Sequence, residues 1–184
     1  MNRVGIKVDV SHVSDNAVRD ILEVTRAPII ASHSGARAVA DVARNLSDDL
    51  LLALKENGGV IQMVALGSYV KVDSPERREA IQALRQEVGF ADRAALRDMT
   101  EEEREAYAAR MEELRPTYEA RMAEIDAHWP PADVSAFVDH IDHARNLMGV
   151  DHVGIGTDFD GGGGIPGIND ASEQIEAHAS GCPG

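Results

Sequence analysis

The amino-acid sequence predicts an α/β fold in which short parallel strands alternate with helices. Four apolar, largely β-branched runs are typical of buried strands, and they lie at residues 4–10, 28–32, 60–65 and 153–157. Segments with apolar residues at helical spacing separate these runs. Because a parallel connection requires a crossover that is usually a helix, this alternation indicates a parallel sheet.

Helices are predicted where a capping residue precedes apolar residues at helical spacing. They cover approximately 15–26, 36–42, 47–57 and 134–148. Ser14 or Asp15 can cap the first of them, and Asp133 can cap the last.

Residues 71–130 predict a helical insertion, since they are dense in Glu, Arg and Ala and carry no strand pattern. A long amphipathic helix there has one apolar stripe, formed by Tyr107, Met111, Leu114, Tyr118, Met122 and Ile125. Pro116 should kink this helix or divide it in two. We expect the stripe to pack on the body of the domain, and a dimer surface or a lid is the alternative.

The composition excludes several classes of protein. The 32 acidic and 18 basic side chains leave a net charge of −14, which argues against nucleic acid or an anionic membrane surface as a partner. No apolar run approaches the roughly 18 residues of a membrane segment, and Asp9, Asp15 and Asp20 argue against a signal peptide. The single cysteine, Cys182, cannot form an internal disulfide, and a cytoplasmic location is the expectation.

Two histidines occupy matching positions after the first two predicted strands. His12 ends the run Asp9-Val-Ser-His, and His33 ends the run Ile30-Ala-Ser-His. Because the carboxyl ends of parallel strands meet at one edge of a sheet, we expect the two imidazoles to lie side by side. Neutral imidazoles in this arrangement are suited to binding zinc. The alternative is that both are hydrogen-bonded loop residues.

The fourth predicted strand ends at Asp158, which a run of glycines, Gly161–Gly164, follows. A carboxylate at the carboxyl end of a strand, beside a flexible loop, is typical of the active site of a (β/α)₈ barrel. About four parallel strands with helices thus indicate a partial barrel of this TIM type, carrying the helical insertion. His140 and His143 have a spacing that can hold a metal, but the surrounding charges favour a solvated helix flank.

These motifs strongly resemble those of the membrane dipeptidase (renal dipeptidase) family of zinc metallopeptidases. The resemblance covers residues 1 to about 172 and rests on Asp9-Val-Ser-His-Val-Ser, Ala27-Pro-Ile-Ile-Ala-Ser-His-Ser, Ala43-Arg-Asn and Val153-Gly-Ile-Gly-Thr-Asp-Phe-Asp-Gly. It implies a barrel with two zinc ions, bridged by a glutamate and a water, that hydrolyses small dipeptides.

The resemblance also implies roles for individual residues. His12 and His33 resemble two ligands of one zinc, and Arg44 resembles the arginine that holds the substrate carboxylate. Asp158 resembles an aspartate near the bridging water and the substrate amine, where a carboxylate can take and return a proton. Without the family, Arg44 would be interpreted as a helix-end arginine bound to a carbonyl.

Parts of the family pattern are absent from this sequence. They are a first-strand His-x-Asp motif, the bridging glutamate and a further substrate-binding histidine, and residues 173–184 do not follow the pattern either. The resemblance therefore implies the C-terminal half of a dipeptidase, inactive alone, with a homo-oligomer or a missing N-terminal half as its partner. The alternatives are a non-catalytic half-barrel that binds at most one metal, and another metal-dependent hydrolase of amidohydrolase type.

Overall fold

Helices and short strands alternate along the chain in the computed structural model, which describes residues 1–173. Cys182 and all but the first residue of the predicted tail over 173–184 lie outside the described residues. In chain order the elements are α1 (Asp15–Val24), β1 (Ile30–Ser34), α2 (Asp48–Glu56), β2 (Val60–Met63), α3 (Gly67–Val70), α4 (Pro75–Val88), α5 (Arg93–Asp98), α6 (Glu101–His128), α7 (Val134–Met148) and β3 (Val153–Ile155).

Within the described residues, the strands form one parallel sheet in the order β1-β2-β3. Ile61 in the central strand pairs with Ala31 on one side and with Val153 on the other. Ala31, Ile61 and Met63 are completely buried, as the apolar character of their runs predicts. The parallel sheet with its helices confirms the predicted α/β class.

The helices beside the sheet begin at predicted capping residues and bury one face. The Ser14 hydroxyl accepts the N–H of Ala17 (3.3 Å), and the Asp133 carboxylate accepts the N–H of Ala136 (2.9 Å). Burial of each large apolar side chain contributes about 1.5–3 kcal/mol. The helical members of the main core are Val18, Leu50, Leu51, Leu54, Val70, Phe137, Ala144 and Met148.

The predicted strand over residues 4–10 is wrong as a regular element. Residues Asn2–Val4 form a short 3₁₀ helix, and the left-handed Gly5 (φ 73°) ends it. Parallel pairing with β1 is limited to a single bridge between Asp9 and Ile30. Val4 and Ile6 are 65% and 56% exposed whereas Val10 is buried, so the first half of this run lacks the burial that would stabilise a strand.

The predicted helix over 36–42 is also wrong, because the side chain of Asn45 organises this segment as turns. Asn45 is completely buried and accepts the N–H of Gly35 (2.9 Å) through Oδ1. Its Nδ2 donates to the carbonyls of Ala40 (2.9 Å) and Tyr69 (2.8 Å). The N–H of Arg37 donates to Leu46 O (2.8 Å), so these backbone groups are satisfied without a helix.

Residues Asp73–Pro130 form a compact unit of their own, and within this range the structure has helices α4, α5 and α6 and no strand. Helix α6 runs through Pro116 as one helix, so the predicted division of this helix in two is wrong. Members of its apolar stripe contact the segment after α4, since the Tyr118 ring lies 5.1 Å from that of Phe90. Among the described residues, no helix has the length and apolarity needed to cross a bilayer.

Candidate active site

The structure brings His12 and His33 together, as their matching positions predict. Their Nε2 atoms lie 2.7 Å apart, and their ring centroids are 4.8 Å apart. His33 lies in β1, and His12 lies in the turn that follows the isolated bridge between Asp9 and Ile30. Two neutral ring nitrogens at this distance share one proton, because two lone pairs or two N–H groups would repel each other.

A hydroxyl and a carboxylate continue this contact on the far side of the His33 ring. The Ser32 hydroxyl lies 2.7 Å from His33 Nδ1 and donates to Asp9 Oδ2 (2.5 Å). Asp9 Oδ1 accepts the backbone N–H groups of Ser11 (2.9 Å) and Ser32 (3.1 Å). Partial burial alone would raise the pKa of Asp9, but these hydrogen bonds outweigh it, so the pKa lies below its ordinary value.

Buried serine hydroxyls hold the two histidine segments to each other. The backbone N–H of His33 donates to Ser11 Oγ (3.0 Å), and that oxygen lies 3.3 Å from Ser34 Oγ. Ser11 directly precedes His12, so this contact fixes the spacing between the two imidazole-bearing segments. The arrangement orients the pair through the backbone rather than through the rings.

Asp158 occupies a tight loop just after β3. Its backbone carbonyl accepts the N–H groups of Gly161 (3.0 Å) and Gly163 (2.7 Å). A Cβ on Gly161 would lie 2.4 Å from Asp158 Oδ1, and one on Gly163 would lie 1.9 Å from the carbonyl of Thr157. Glycine is therefore required where the loop folds back over Asp158.

Two of the predicted site residues have strained backbones. Within residues 1–173, the non-glycine residues with positive φ are His12 (73°) and Asp158 (58°). A left-handed conformation costs a non-glycine residue about 1–2 kcal/mol, and such residues concentrate at functional sites. This strain marks the two turns independently of any motif.

Arg44 points a guanidinium nitrogen into a buried position without a partner. Its Nε donates to the hydroxyl of Tyr69 (3.2 Å), and its Cζ lies 5.2 Å from the centre of that ring. Its Nη2 is buried and has no hydrogen-bond partner among the described residues. A buried unpaired guanidinium N–H costs free energy, so this group suits an anionic ligand such as a carboxylate. Among the described residues, it binds no carbonyl at a helix end, which was the alternative.

His140 is buried, so its interpretation as part of a solvated helix flank is wrong. Its Nδ1 accepts the N–H of Ala36 (3.0 Å), and its Nε2 donates to the carbonyl of Val70 (2.9 Å). Burial lowers its pKa, and the hydrogen bond to Val70 only partly opposes this effect. His143 is partly exposed and bonds Asp48 (2.7 Å). Neither His140 nor His143 is therefore available to bind a metal ion together with the histidine pair.

The structure therefore joins two of the four predicted site residues directly, His12 and His33. Across the described residues, no group of three or more His, Cys, Asp or Glu side chains could hold a metal ion. Sequence reasoning missed the roles of Ser32 and Tyr69. The repeated Ser-His dipeptide was a signal for Ser32, whereas nothing in the sequence pairs Tyr69 with Arg44.

The ends of β1 and β3 also approach each other. A Cβ on Gly156 would lie 2.2 Å from the carbonyl oxygen of Ser32 and 2.8 Å from Gln62 Cβ. Strands β1 and β3 are separated by β2 in the sheet, so this approach brings the residue after β3 against the end of β1, where the register shifts between Ala31 and Ser34. This places the loop of Asp158 on the same edge as His33.

Comparison with known proteins gives the family. The model of the membrane dipeptidase family (Peptidase family M19) matches residues 1–176. Dipeptidase 3 of Rattus norvegicus is 32% identical over 173 residues, which are 94% of this chain and 24% of that protein. Dipeptidase 3 of Mus musculus gives the same figures. The chain thus spans about a quarter of the length of these curated relatives.

Solved structures agree with the sequence match. The crystal structure of the probable dipeptidase PvdM from Pseudomonas aeruginosa superposes with a TM-score of 0.69 at 33% identity, over 97% of this chain and 45% of that one. A metallo peptidase from Rhodobacter sphaeroides, liganded with a phosphinate mimic of the dipeptide L-Ala-D-Ala, gives a TM-score of 0.62 at 26% identity. That match covers 97% of this chain and 36% of that one.

The α/β fold and these matches define the class of protein as a relative of the dipeptidases. The chain belongs to the membrane dipeptidase family, Peptidase family M19. The resemblance first carried by the Ser-His motifs, Arg44 and Asp158 is thereby confirmed at the level of the family.

The histidine pair fits zinc as part of a ligand set. Zinc–nitrogen bonds are about 2.0–2.1 Å long, so two tetrahedral ligand nitrogens lie about 3.3 Å apart. The Nε2 atoms of His12 and His33, 2.7 Å apart, would need to separate by about 0.6 Å. Zinc sites usually have three or four protein ligands, so this pair supplies some of them and not all.

Proposed function

We propose that this chain carries part of the site of a zinc-dependent dipeptidase, built on part of a (β/α)₈ barrel. The observation that carries the proposal is the approach of His12 Nε2 to His33 Nε2, 2.7 Å apart. The close approach of Gly156 to the Ser32 carbonyl supports a barrel, since closing a sheet brings next-but-one strands nearer to each other. Catalytic residues of such barrels lie on loops at the carboxyl ends of strands.

His12 and His33 would hold zinc, which when bound supplies Lewis acidity that polarises a carbonyl and activates water near neutral pH. Asp158 would take and return a proton at its carboxylate, from the loop that Gly161 and Gly163 fold over it. Arg44 would bind the carboxylate of a dipeptide through its unpaired Nη2. The phosphinate dipeptide mimic bound by the Rhodobacter structure supports a small peptide as substrate.

A second candidate is a non-catalytic half-barrel that binds at most one metal. The lack of any group of three metal-binding side chains among the described residues favours it. The two candidates differ in catalysis but share the metal, so zinc binding is the first property to test.

The test is a zinc titration of the purified chain in competition with a chromophoric chelator. We expect the chain to bind one zinc ion, and we expect His12→Ala and His33→Ala to abolish binding because each removes half of the pair. His128→Ala is the matched control, since His128 is an exposed histidine in α6. Zinc binding that survives His33→Ala would contradict the proposed metal site.

A further inference from the structure

We propose that Asp9 and Ser32 act as positioning residues that fix the tautomer of His33. They hold the proton on His33 Nδ1 and leave the lone pair of Nε2 facing His12. The value of this arrangement for zinc rests on the proposed function, but the tautomer itself is a property of the metal-free chain.

The hydrogen bonds that link Asp9, Ser32 and the His33 ring form a relay, and Asp9 sets the direction of its donors. Its Oδ1 accepts two backbone N–H groups, from Ser11 and Ser32, which anchors the carboxylate although Asp9 is exposed. An aspartate is ionised at neutral pH and can only accept hydrogen bonds. The Ser32 hydroxyl, 2.5 Å from Asp9 Oδ2, therefore directs its only proton towards Asp9.

Ser32 then has only lone pairs to offer His33. Its Oγ lies 2.7 Å from His33 Nδ1, so Nδ1 carries the hydrogen and donates it. A neutral imidazole has a single N–H, which leaves a lone pair on Nε2 of His33. Hydrogen bonds on the outer side of a histidine commonly orient it in this way for a metal.

The same reasoning assigns the partner ring. Because His33 Nε2 is an acceptor, the contact of 2.7 Å requires His12 Nε2 to donate. His33 is thus ready to bind a metal ion as it stands, whereas His12 must move its proton to Nδ1. The two histidines, which end identical Ser-His dipeptides, therefore differ in their tautomers before any metal ion binds.

Asp9→Asn should reverse the relay with almost no change in shape. The two backbone N–H groups keep the side-chain oxygen in place, so the new amide N–H₂ faces Ser32 Oγ and donates to it. The Ser32 hydroxyl must then donate to His33 Nδ1, which moves the imidazole proton to Nε2. Since one proton is shared between the rings, His12 should change to its Nδ1–H form at the same time.

The experiment reads the ring ¹⁵N chemical shifts of His12 and His33 by NMR in the metal-free chain, at about pH 8. The wild-type chain should show Nδ1–H on His33 and Nε2–H on His12, and Asp9→Asn should exchange the two forms. Ser32→Ala, a second route to the same test, should reduce the preference of His33 to a mixture. Ser135→Ala is the matched control, because Ser135 is an exposed serine in α7.

Retention of the wild-type tautomer of His33 in folded Asp9→Asn, or of its full preference in Ser32→Ala, would overturn the proposal. So would a wild-type His33 protonated at Nε2. Zinc affinity, measured separately, should fall about 10–100-fold in Asp9→Asn. If the tautomers exchange as expected but the wild-type chain binds no zinc, the relay stands and the proposed metal site fails.

Discussion

His12, His33 and His140 have the same side chain, and the groups facing their ring nitrogens separate their roles. His140 has a backbone N–H on one nitrogen and a backbone carbonyl on the other, so both positions are occupied. The rings of His12 and His33 face each other instead. The sequence predicted the pair from its repeated motif, but it misplaced His140 because neighbouring charges say nothing of contacts made across the fold.

The buried His140 should make the stability of the protein depend on pH. Its folded pKa is lowered by burial, so the unfolded chain takes up the proton first as the pH falls. The stabilisation is therefore complete above about pH 6.5, the unfolded value, and declines as the pH drops towards the folded pKa. Protonation would also place an N–H on Nδ1 against the N–H of Ala36.

Urea unfolding of the wild type and His140→Gln from about pH 8 to about pH 5 checks this. We expect the variant to be about 1–3 kcal/mol less stable at the upper pH, because it strains or loses two buried hydrogen bonds. It should also lose the part of the pH dependence due to His140. The exposed His128→Gln serves as control, and an unchanged pH profile in His140→Gln would refute the assignment.

Arg44 should recognise a carboxylate if its unpaired Nη2 binds substrate. In the zinc-loaded chain, a phosphinate dipeptide mimic with a free carboxylate should bind more tightly than its carboxamide. Arg44→Ala should remove most of this preference, about 10–100-fold for a charge-assisted hydrogen bond of about 1.5–3 kcal/mol. Calorimetric titration measures both ligands, with the exposed Arg26→Ala as control. Equal preference in the wild type and Arg44→Ala would exclude this role.

At the scale of the element, the strands were easier to predict than the segments between them. Apolar runs mark β1, β2 and β3, because their apolar side chains lie in the core or, in β3, pack against it partly buried. Residues 4–10 have the same composition but make one bridge, and the turns around Asn45 replace a predicted helix. In both cases long-range contacts, or their lack, decided the outcome and local propensity did not.

The close approach at Gly156 should make this position intolerant of a side chain. A Cβ there would lie 2.2 Å from the backbone oxygen of Ser32, which cannot move without shifting the strand end at His33. Gly156→Ala should cost about 1–3 kcal/mol in the free energy of urea unfolding. It should also weaken zinc binding, because Ser32 precedes His33.

Gly67→Ala provides the control for Gly156→Ala. A Cβ on Gly67, in helix α3, would lie 3.9 Å from its nearest neighbours, which is ordinary contact. We expect this variant to unfold at the wild-type urea concentration or slightly above it, since alanine favours helix. Equal effects of the two substitutions would show that the β1–β3 contact does not limit the packing.

For the molecule as a whole, we expect the purified 184-residue chain to have no measurable dipeptidase turnover with added zinc. The described residues bring together two imidazoles, whereas zinc sites usually use three or four protein ligands. Fusion to a family segment that supplies the remaining ligands should produce zinc-dependent hydrolysis, which His33→Ala should abolish. Turnover by the isolated chain, removed by a chelator and by His33→Ala, would disprove this expectation.

The sequence alone determined the α/β class, the helical character of residues 71–130 and the family, because apolar periodicity and short motifs are local properties of the chain. It also indicated that His12 and His33 meet, since parallel strands end at one edge. Only the tertiary structure decided that His140 is buried, that Arg44 keeps an unpaired Nη2, and that Asp9 reaches His33 through Ser32. These depend on groups up to 104 residues apart in the chain, as for the His140 ring and the backbone N–H of Ala36, whose contact no local pattern encodes.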